Sequence, residues 1–366
     1  MTAEVDRSEA ASSGSRFPIP AEPGAAEATS VPVVDAPPET QPVSWRHRHL
    51  LDVDALTRPE LELVMGTTDA MREVLARPIP KVPALRGTNV TILFYEASTR
   101  TRVSFEVAAK NLSADVVNIA AASSSVSKGE SLVDTVRTIE ALGADMLVMR
   151  HPVSGSPYLA AEIFGGAVLN GGDGWHAHPS QALLDLYTLR SRLPGGSLDG
   201  RKVVILGDSL HSRVARSNIW TLTAMGADLW ICGPSTLLRG FEGWAARGAA
   251  GRRFTVTSDV DAALRDADVV MALRIQKGRM ASGLLPSLRE YAARYGLTQE
   301  RLRNANPDVV VMHPGPMNEG VEIAADVAVD PRSVITEQVT NGVAVRMALL
   351  YLLAGARAGE KQERGA

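Results

Sequence analysis

The sequence predicts an α/β protein with two open parallel-sheet domains and a closing C-terminal helix. Short runs of Val, Ile and Leu alternate with longer segments of helical periodicity, which is typical of parallel sheets flanked by helices. The turn-rich segment Leu193–Gly200 separates these runs into two halves. Small and aliphatic residues recur at helical spacing in Glu337–Ala354, which predicts a final helix that packs on the rest of the fold.

The strand candidates are spread along most of the chain. With 366 residues and 45% hydrophobic content, the chain can bury a substantial core and has the length of about two domains. The predicted strands are Val90–Tyr95, Val116–Ile119, Met146–Met149, Val168–Asn170, Val203–Leu206, Asp228–Cys232, Val269–Ala272 and Val309–Met312. This number would crowd one small sheet. We therefore predict a first domain over residues 46–192, completed by the helix 337–354, and a second domain over residues 193–336.

The two ends of the chain are predicted to lie outside these domains. Residues 1–45 are rich in Ala, Pro, Ser and Glu and lack apolar periodicity, so we expect a disordered N-terminal tail. Residues 355–366 are predicted to form a C-terminal tail.

Charge and composition argue against several classes of function. The net charge of −3, without any block rich in Lys and Arg, argues against a nucleic-acid partner. No apolar run approaches the roughly 20 residues of a membrane helix, and Met1–Arg7 leads into no apolar signal core. We therefore expect no membrane partner and a cytoplasmic location.

Redox, metal and nucleotide chemistry are also not expected. The single cysteine, Cys232, can form neither an internal disulfide nor a zinc–thiolate site. The strand Val203–Leu206 is not followed by Gly-x-Gly-x-x-Gly, which argues against a dinucleotide. We predict that the protein uses no metal and no cofactor.

A phosphate-binding turn is predicted in Phe94–Glu106, where a strand-like run ends in hydroxyl residues and continues with helical periodicity. Unpaired N–H groups and the positive dipole end at a helix start attract anions. The donors that can surround a dianion there are the hydroxyls of Ser98, Thr99 and Thr101 and the guanidinium of Arg100. The alternative is an ordinary Ser/Thr helix cap beside solvated arginines, which four converging donors make less attractive.

A second polar loop, Ser123–Leu132, again precedes a helical pattern. It can deliver the ammonium group of Lys128 to a site. Read without its context, the segment is better interpreted as a serine-rich surface linker with a solvated lysine.

Further polar groups lie at predicted strand ends and helix starts. Arg150 follows the run Met146–Met149 and so lies at the carboxyl end of a strand, where open α/β sheets bind ligands. His178 and Gln181 lie at the start of a helix. There an imidazole can donate to a polarised carbonyl and an amide can orient a planar carbamoyl group. For the remaining loop histidines we expect surface or capping roles, and these are His151, His176, His211 and His313.

The second half carries fork-shaped donors suited to carboxylates. Arg213 lies near a helix start, and Arg274 with Gln276 ends a strand. Two loop arginines on separate βα units would suit a dicarboxylate, while each alone could be a solvated arginine. The prolines of His313–Pro316 stiffen the last loop and would fix its carbonyls in place.

Together these segments resemble the aspartate carbamoyltransferase family over roughly Trp45 to Ala354. The matching segments, in the family's order, are Ser98–Thr101, Lys128–Glu130, Arg150–Pro152, His178–Gln181, Arg213, Arg274-x-Gln276 and His313-Pro314-x-Pro316. Each segment alone is moderately specific. A chance match to all of them in order is hard to credit.

The resemblance implies a role for each matched residue. The carbamoyl phosphate binders would be Ser98, Thr99, Arg100, Thr101, Arg150, His178, Gln181, Pro314, Gly315 and Pro316. The aspartate binders would be Lys128, Arg213, Arg274 and Gln276. The residues with catalytic roles would be Arg100, Thr101, Lys128, Arg150 and His178. Ser124 and Ser125 compete for the role of the loop serine that accompanies Lys128.

The implied reaction transfers the carbamoyl group of carbamoyl phosphate to the amino group of L-aspartate, which gives N-carbamoyl-L-aspartate and phosphate, an early step of de novo pyrimidine (UMP) biosynthesis. The neutral amine would attack directly, and a tetrahedral oxyanion would form against Thr101, Arg150 and His178. The first domain would bind carbamoyl phosphate and the second aspartate. Lys128 would reach a neighbouring subunit's site, which implies a homotrimer and leaves open a larger assembly with regulatory or dihydroorotase-type subunits.

Two other functions are compatible with parts of this sequence. Ornithine carbamoyltransferases resemble the first half, but they carry a His-Cys-Leu-Pro loop where this chain has His313–Pro316, and Cys232 cannot replace that cysteine. A non-catalytic phosphate-binding or scaffolding subunit is the third possibility, and the full set of site residues argues against it. After Pro316 the family often has a basic residue, whereas this chain has Glu319.

Overall fold

Two separate parallel sheets form the framework of the described residues, which are 43–120, 129–248, 254–276 and 283–365 of the computed structural model. The first sheet has the order β2-β1-β3-β4. Its strands are β1 Asn89–Phe94, β2 Asp115–Ala120, β3 Met146–His151 and β4 Ala167–Asp173. Met146 to Met149 are fully buried because helices cover both faces of this parallel sheet.

The second sheet is also parallel throughout and has the order β7-β6-β5-β8-β9. Its strands are β5 Lys202–Leu206, β6 Asp228–Cys232, β7 Phe254–Thr257, β8 Val269–Ala272 and β9 Val310–Met312. The two sheets with their helices confirm the predicted fold class. The short edge strand β7 was not predicted, because its four residues are each only half-buried and do not form an apolar run.

The helices connect successive parallel strands and close the fold. Their bounds are α1 Arg58–Leu75, α2 Thr99–Asn111, α3 Leu132–Ala141, α4 Ser156–Ile163, α5 Pro179–Arg192, α6 Arg213–Ala224, α7 Phe241–Gly248, α8 Val260–Leu264, α9 Leu288–Tyr295, α10 Gln299–Leu302, α11 Ala325–Ala328 and α12 Ile335–Gly365. A short 3-10 turn, Pro194–Gly196, joins α5 to β5 in the segment where the domain boundary is predicted.

The terminal helix α12 is longer than predicted. It begins two residues before Glu337 and continues to Gly365, so the predicted C-terminal tail, 355–366, is helical up to residue 365. Strong helix formers such as Ala and Arg favour this extension. Ala356 packs against the core, and Arg357 donates a hydrogen bond to the Asp145 carbonyl, which holds the extra turn in place.

Part of α12, Ile335–Arg357, is long and apolar enough to cross a membrane, which was not predicted from the sequence. In the structure it is a core helix that packs against α1, α2 and α5. Leu349, Leu350 and Leu353 are fully buried in a cluster that also contains side chains from both sheets. Its apolar character is therefore explained by burial inside the protein.

The N-terminal end of the described chain joins the same core. Trp45 is only 8% exposed and packs with the residues around α1 and sheet strand β4. Most of the predicted N-terminal tail, residues 1–42, lies outside the described residues.

Candidate active site

The carboxyl ends of strands from both sheets face a cleft of about 650 Å³. This is the size of a typical small-molecule site. The predicted residues that line it are Ser98, Thr99, Arg100, Thr101, Arg150, His178, Gln181, Arg213, Arg274, Gln276, Pro314, Gly315 and Pro316. The structure thus brings together all the predicted site residues that it describes. Lys128, Ser124 and Ser125 lie outside the described residues.

Among the described helices, α2, α5, α6 and α12 begin at the cleft, and residues from the first turn of each line it. Ser98 caps α2 by accepting a hydrogen bond from the Thr101 backbone N–H at 3.4 Å. Ser212 caps α6 in the same way through the Ala215 N–H at 3.1 Å. The exposed Arg100 adds a full positive charge at the start of α2. This arrangement suits a dianion.

One carboxylate, that of Glu96, lies between two arginines of the cleft. Its Oε2 is 2.7 Å from Nη2 of Arg213 and 3.3 Å from Nε of Arg150. Gly172 makes this approach possible, since a Cβ at that position would lie 2.9 Å from the Arg213 Nε. Its φ of +114° also favours glycine. Glu96 thus connects the end of β3 with the start of α6 in this state of the protein.

His178 is the residue before α5 and is buried in the wall of the cleft. Its backbone N–H donates to Ser217 Oγ at 2.9 Å, which fixes its position. Its Nδ1 is buried and has no hydrogen-bond partner among the described residues. Burial, and then the nearby charges of Arg150, Arg213 and Arg346, hold the pKa of His178 well below its usual range. The imidazole is therefore neutral and can act as a hydrogen-bond donor without carrying charge.

The segment after β8, which carries Arg274 and Gln276, is held by the buried carboxylate of Asp208. Asp208 Oδ2 accepts a hydrogen bond from the Gln276 backbone N–H at 3.1 Å, and its Oδ1 lies 2.8 Å from His211 Nδ1. The edge of the His211 ring faces Trp175, with the ring centroids 4.8 Å apart. These contacts place Gln276, and with it Arg274, at the edge of the cleft.

The His313–Pro316 loop forms the opposite wall. His313 Nδ1 accepts a hydrogen bond from the Gly315 N–H at 2.8 Å, and the His313 N–H donates to Gln338 Oε1 at 3.1 Å. Gly315 has a φ of +62°, and a Cβ there would lie 3.1 Å from the Arg100 Cζ. The glycine therefore lets this wall pack directly against the Arg100 guanidinium.

The four other loop histidines named from the sequence are placed differently from one another. A surface role is wrong for His211 and His313, which are 2% and 1% exposed and pair with Asp208 and Glu322. His151 accepts a hydrogen bond from the Val153 N–H within its own loop, and His176 lies between Asp52 and Asp173. Neither His151 nor His176 lines the cleft.

Several polar residues of the site were not singled out from the sequence. They are Glu96, Ser104, Asp185, Asp208, Gln338 and Arg346. Glu96 and Ser104 lie inside the phosphate segment, and Asp185 follows Gln181 by one helical turn, so spacing alone could have indicated these three. Arg346 lies in the predicted closing helix, where its Nη1 donates to Ser104 Oγ at 2.6 Å. Its involvement depends on tertiary packing.

No group of three or more His, Cys, Asp or Glu side chains within the described ranges could hold a metal ion. The exposed carboxylate of Glu319, the departure noted after Pro316, does not line the cleft.

Comparison with known families shows matches over nearly the whole chain. The carbamoyl-P binding domain of the aspartate/ornithine carbamoyltransferase family matches residues 48–191, and the Asp/Orn binding domain matches residues 199–353. The aspartate carbamoyltransferase catalytic subunit of Roseiflexus sp. (strain RS-1) is 59% identical over 310 residues, which are 85% of this chain and 96% of the relative. The corresponding subunit of Dehalococcoides mccartyi (strain CBDB1) is 52% identical over 332 residues, 90% and 99% of the two chains.

Solved structures of both branches of this family are similar to the chain. Aspartate transcarbamoylase from Trypanosoma cruzi in complex with carbamoyl aspartate and phosphate has a TM-score of 0.74 and 30% identity, covering 86% of this chain and 98% of that one. Ornithine carbamoyltransferase from Pyrococcus furiosus has a TM-score of 0.75 and 29% identity, covering 85% and 98%. Similarity of the backbone to these structures therefore does not distinguish aspartate from ornithine as the acceptor.

Proposed function

The chain belongs to the aspartate/ornithine carbamoyltransferase family, as an aspartate carbamoyltransferase catalytic chain, and we propose that it transfers the carbamoyl group of carbamoyl phosphate to L-aspartate by direct attack through a tetrahedral intermediate. The products are N-carbamoyl-L-aspartate and phosphate, which belong to an early step of de novo pyrimidine biosynthesis. The observation that carries this proposal is a single cleft that combines phosphate, carbonyl and carboxylate donors.

The phosphate group binds at the start of α2. Ser98, Thr99 and Thr101 supply hydroxyls and backbone N–H groups, and Arg100 supplies a guanidinium. When the carbon–oxygen bond to phosphate breaks, the departing phosphate takes the electron pair and the proton lost by the attacking amine, and it remains within this set of donors. Stabilising the developing charge on the leaving group lowers the barrier to transfer.

The carbonyl oxygen binds beside Thr101, Arg150 and His178. As the amine of aspartate forms its bond to the carbamoyl carbon, negative charge grows on this oxygen. A neutral imidazole donor and a guanidinium on preorganised elements stabilise that charge, and no covalent bond to the enzyme forms. The cleft also holds both substrates in contact, which supplies much of the remaining acceleration.

The acceptor side of the cleft favours a dicarboxylate. Arg213 and Arg274 present guanidinium groups, and Gln276 presents an amide, at the ends of β5 and β8. Ornithine would attack through its side-chain amine, so its α-ammonium group would require an acidic partner, and Glu96 is already paired with Arg150 and Arg213. The identity to aspartate-specific relatives, 52–59%, points the same way.

We also propose a homotrimer in which Lys128 enters the site of a neighbouring subunit, in a cytoplasmic location. The family resemblance of Lys128–Glu130 supports this arrangement. Lys128 itself lies outside the described residues.

Phosphate release by the purified chain tests the proposed function. Carbamoyl phosphate is incubated with L-aspartate, with L-ornithine or without an acceptor. We expect rapid release with aspartate and only background release in the other two reactions. Faster release with ornithine would identify the ornithine branch, and background release throughout would identify a non-catalytic subunit.

A further inference from the structure

Asp185 is a fully buried carboxylate behind the cleft that the reaction chemistry leaves unexplained. It lies on α5, one turn after Gln181. Three side-chain amides donate to it from three different helices. Gln181 Nε2 is 2.9 Å from its Oδ1, Gln338 Nε2 of α12 is 2.7 Å from the same oxygen, and Asn218 Nδ2 of α6 is 2.9 Å from Oδ2.

A carboxylate can only accept hydrogen bonds, so it dictates which end of each amide faces it. The NH₂ groups of Gln181, Gln338 and Asn218 all turn toward Asp185, and their oxygens turn away. For Gln338 the oxygen accepts the His313 backbone N–H at 3.1 Å. For Asn218 this orientation leaves Oδ1 buried without a hydrogen-bond partner among the described residues. The surroundings agree with this orientation for Asn218, whose Nδ2 also donates to the Val214 carbonyl at 3.1 Å, whereas Asp185 is the one side chain among the described residues that holds the Gln181 amide.

Gln181 is the member of this group that lines the cleft. With its Nε2 held by Asp185, the side chain offers Oε1 to a ligand. That oxygen accepts no hydrogen bond from any other described residue. A bound carbamoyl group carries an NH₂ that can donate to this oxygen, whereas an acetyl group of nearly the same shape carries a methyl group that cannot.

We propose that Asp185 is a positioning residue that makes the site selective for a carbamoyl group, because it fixes Gln181 with its amide oxygen toward the NH₂ of the substrate. This inference rests on the proposed function and names the part of the site that recognises the carbamoyl nitrogen. The same carboxylate, through Gln338, also ties the His313–Pro316 wall to α5. One buried group thus orients two parts of the site.

The charge of Asp185 is consistent with this role at neutral and alkaline pH. Burial raises its pKa to about 6, against the opposing effect of the amide hydrogen bonds and of Arg346. Arg346 is itself buried and lines the cleft, and burial lowers its pKa to about 10, so it stays protonated. At pH 8 Asp185 is ionised and can accept from all three amides.

Two stable ligands that differ only at the group in question provide the test. Phosphonoacetamide carries the NH₂, and acetonylphosphonate carries a methyl group in its place. Their dissociation constants are measured by calorimetry at pH 8 for the wild type and for Asp185→Ala, Asp185→Asn and Asp69→Ala. Asp69 is the matched control, since it accepts from Tyr187 and Arg190 of the same helix α5 but does not line the cleft.

The wild type should prefer the amide ligand by at least about tenfold, since the methyl ligand leaves the Gln181 oxygen without a partner. In Asp185→Ala the preference should fall to about twofold or less, because Gln181 is free to turn. Affinity for the methyl ligand should change little. Asp185→Asn should keep most of the preference, since its Oδ1 still accepts from Gln181 when Asn218 reverses. Asp69→Ala should match the wild type.

A folded Asp185→Ala protein that keeps the wild-type preference would overturn the inference, as would a loss of affinity equal for both ligands, which would mean a general structural role. Wild-type turnover with carbamoyl phosphate and aspartate is measured alongside, so failure of the proposed function is recognised separately. If Asp185→Ala does not fold, a neutron structure of the wild type with phosphonoacetamide determines the orientation of the Gln181 amide. Deuterons on Gln181 directed at Asp185 support the inference, and deuterons directed at the ligand contradict it.

Discussion

The protonation state of His178 decides what this residue can contribute. Burial and three neighbouring arginines disfavour the imidazolium, so the folded protein holds a neutral ring. An ordinary histidine in the unfolded chain binds a proton near pH 6.5. The unfolded state therefore binds more protons than the folded state below that value, and stability falls as the pH decreases through it.

We predict that His178 does not titrate in the interval where exposed histidines do. Its ring ¹³C and ¹⁵N chemical shifts, assigned by comparison with His178→Gln, should remain constant while the pH is lowered through 6.5. Free L-histidine added to the same sample serves as the internal control. A titration of the His178 signals centred near pH 6.5 would contradict a neutral donor and require a charged imidazolium at the carbonyl.

Arg100 should be essential for binding and stabilising the phosphate group. Replacing it with alanine removes the only full charge of the predicted phosphate set, and we expect kcat/KM for carbamoyl phosphate to fall by at least about a hundredfold. Arg102→Ala, an exposed arginine on the same helix, is the matched control and should remain near wild type. Near-native turnover by Arg100→Ala would contradict the proposal that Arg100 binds the phosphate group.

At the residue scale, the sequence indicated which residues line the cleft wherever the pattern is local. The hydroxyls and arginine at the start of α2, and His178 with Gln181 at the start of α5, were found because a helix start beside polar residues is visible in the chain. Arg346 was missed because its partner Ser104 lies far away in sequence, whereas the spacing of Asp185 from Gln181 could have indicated that carboxylate. A buried charge inside an otherwise apolar helix pattern is recognised only when its partners are known.

At the scale of elements, the contact between α5 and α12 holds the site together from behind. A Cβ on Gly342 of α12 would lie 2.5 Å from Arg346 Nη1 and 3.2 Å from Leu184 Cδ2. The guanidinium cannot move freely because it is buried and bonded to Ser104. The glycine therefore permits a close approach that keeps Arg346 at the edge of the cleft.

Gly342→Ala is predicted to destabilise the protein by about 1 to 3 kcal/mol, as expected for an overpacked core, and to reduce turnover by displacing Arg346. Gly355 lies in the same helix, and a Cβ there would meet no atom within 4 Å, so Gly355→Ala should stabilise by up to about 1 kcal/mol. Thermal unfolding and steady-state rates measure both effects. Equal behaviour of the two variants would show that the close approach at Gly342 is unimportant.

Most elements could be predicted from periodicity because the strands are apolar and bounded by turns. Strand β7 was not predicted because this edge strand of four half-buried residues has no apolar run. The end of α12 was placed too early, since the sequence after Ala354 is mostly polar and the contacts of Ala356 and Arg357 come from tertiary packing. Neither packing contact is encoded in a local pattern.

At the scale of the whole molecule, the proposed trimer makes a prediction about mixed subunits. Lys128→Ala and His178→Ala proteins should each be nearly inactive. If Lys128 serves a neighbour, random mixed trimers contain one intact site, and an equal mixture should recover about a quarter of wild-type activity. Activity is measured after the subunits are dissociated and reassembled together. No recovery, with trimers present, would mean that each chain uses its own lysine.

Three whole-molecule features remain predictions, namely the trimer, a partner assembly and the cytoplasmic location. The proposed roles of the cleft residues do not depend on these features, except for the role of Lys128, which depends on the trimer. The phosphate side and the acceptor side of the cleft also differ in how closely their residues define the ligand. The phosphate and carbonyl donors define their ligand closely, whereas the choice of aspartate depends on two arginines, one glutamine and the relationship to aspartate-specific chains.

Direct observation of the new bond tests the central claim most closely. ¹³C-labelled carbamoyl phosphate and ¹⁵N-labelled L-aspartate are incubated with the protein and followed by ¹³C NMR. We expect a carbonyl signal split by one-bond coupling to ¹⁵N, as in N-carbamoyl-L-aspartate, growing at the rate of phosphate release. Decay of carbamoyl phosphate at its uncatalysed rate, without a coupled carbonyl signal, would contradict the proposed transfer.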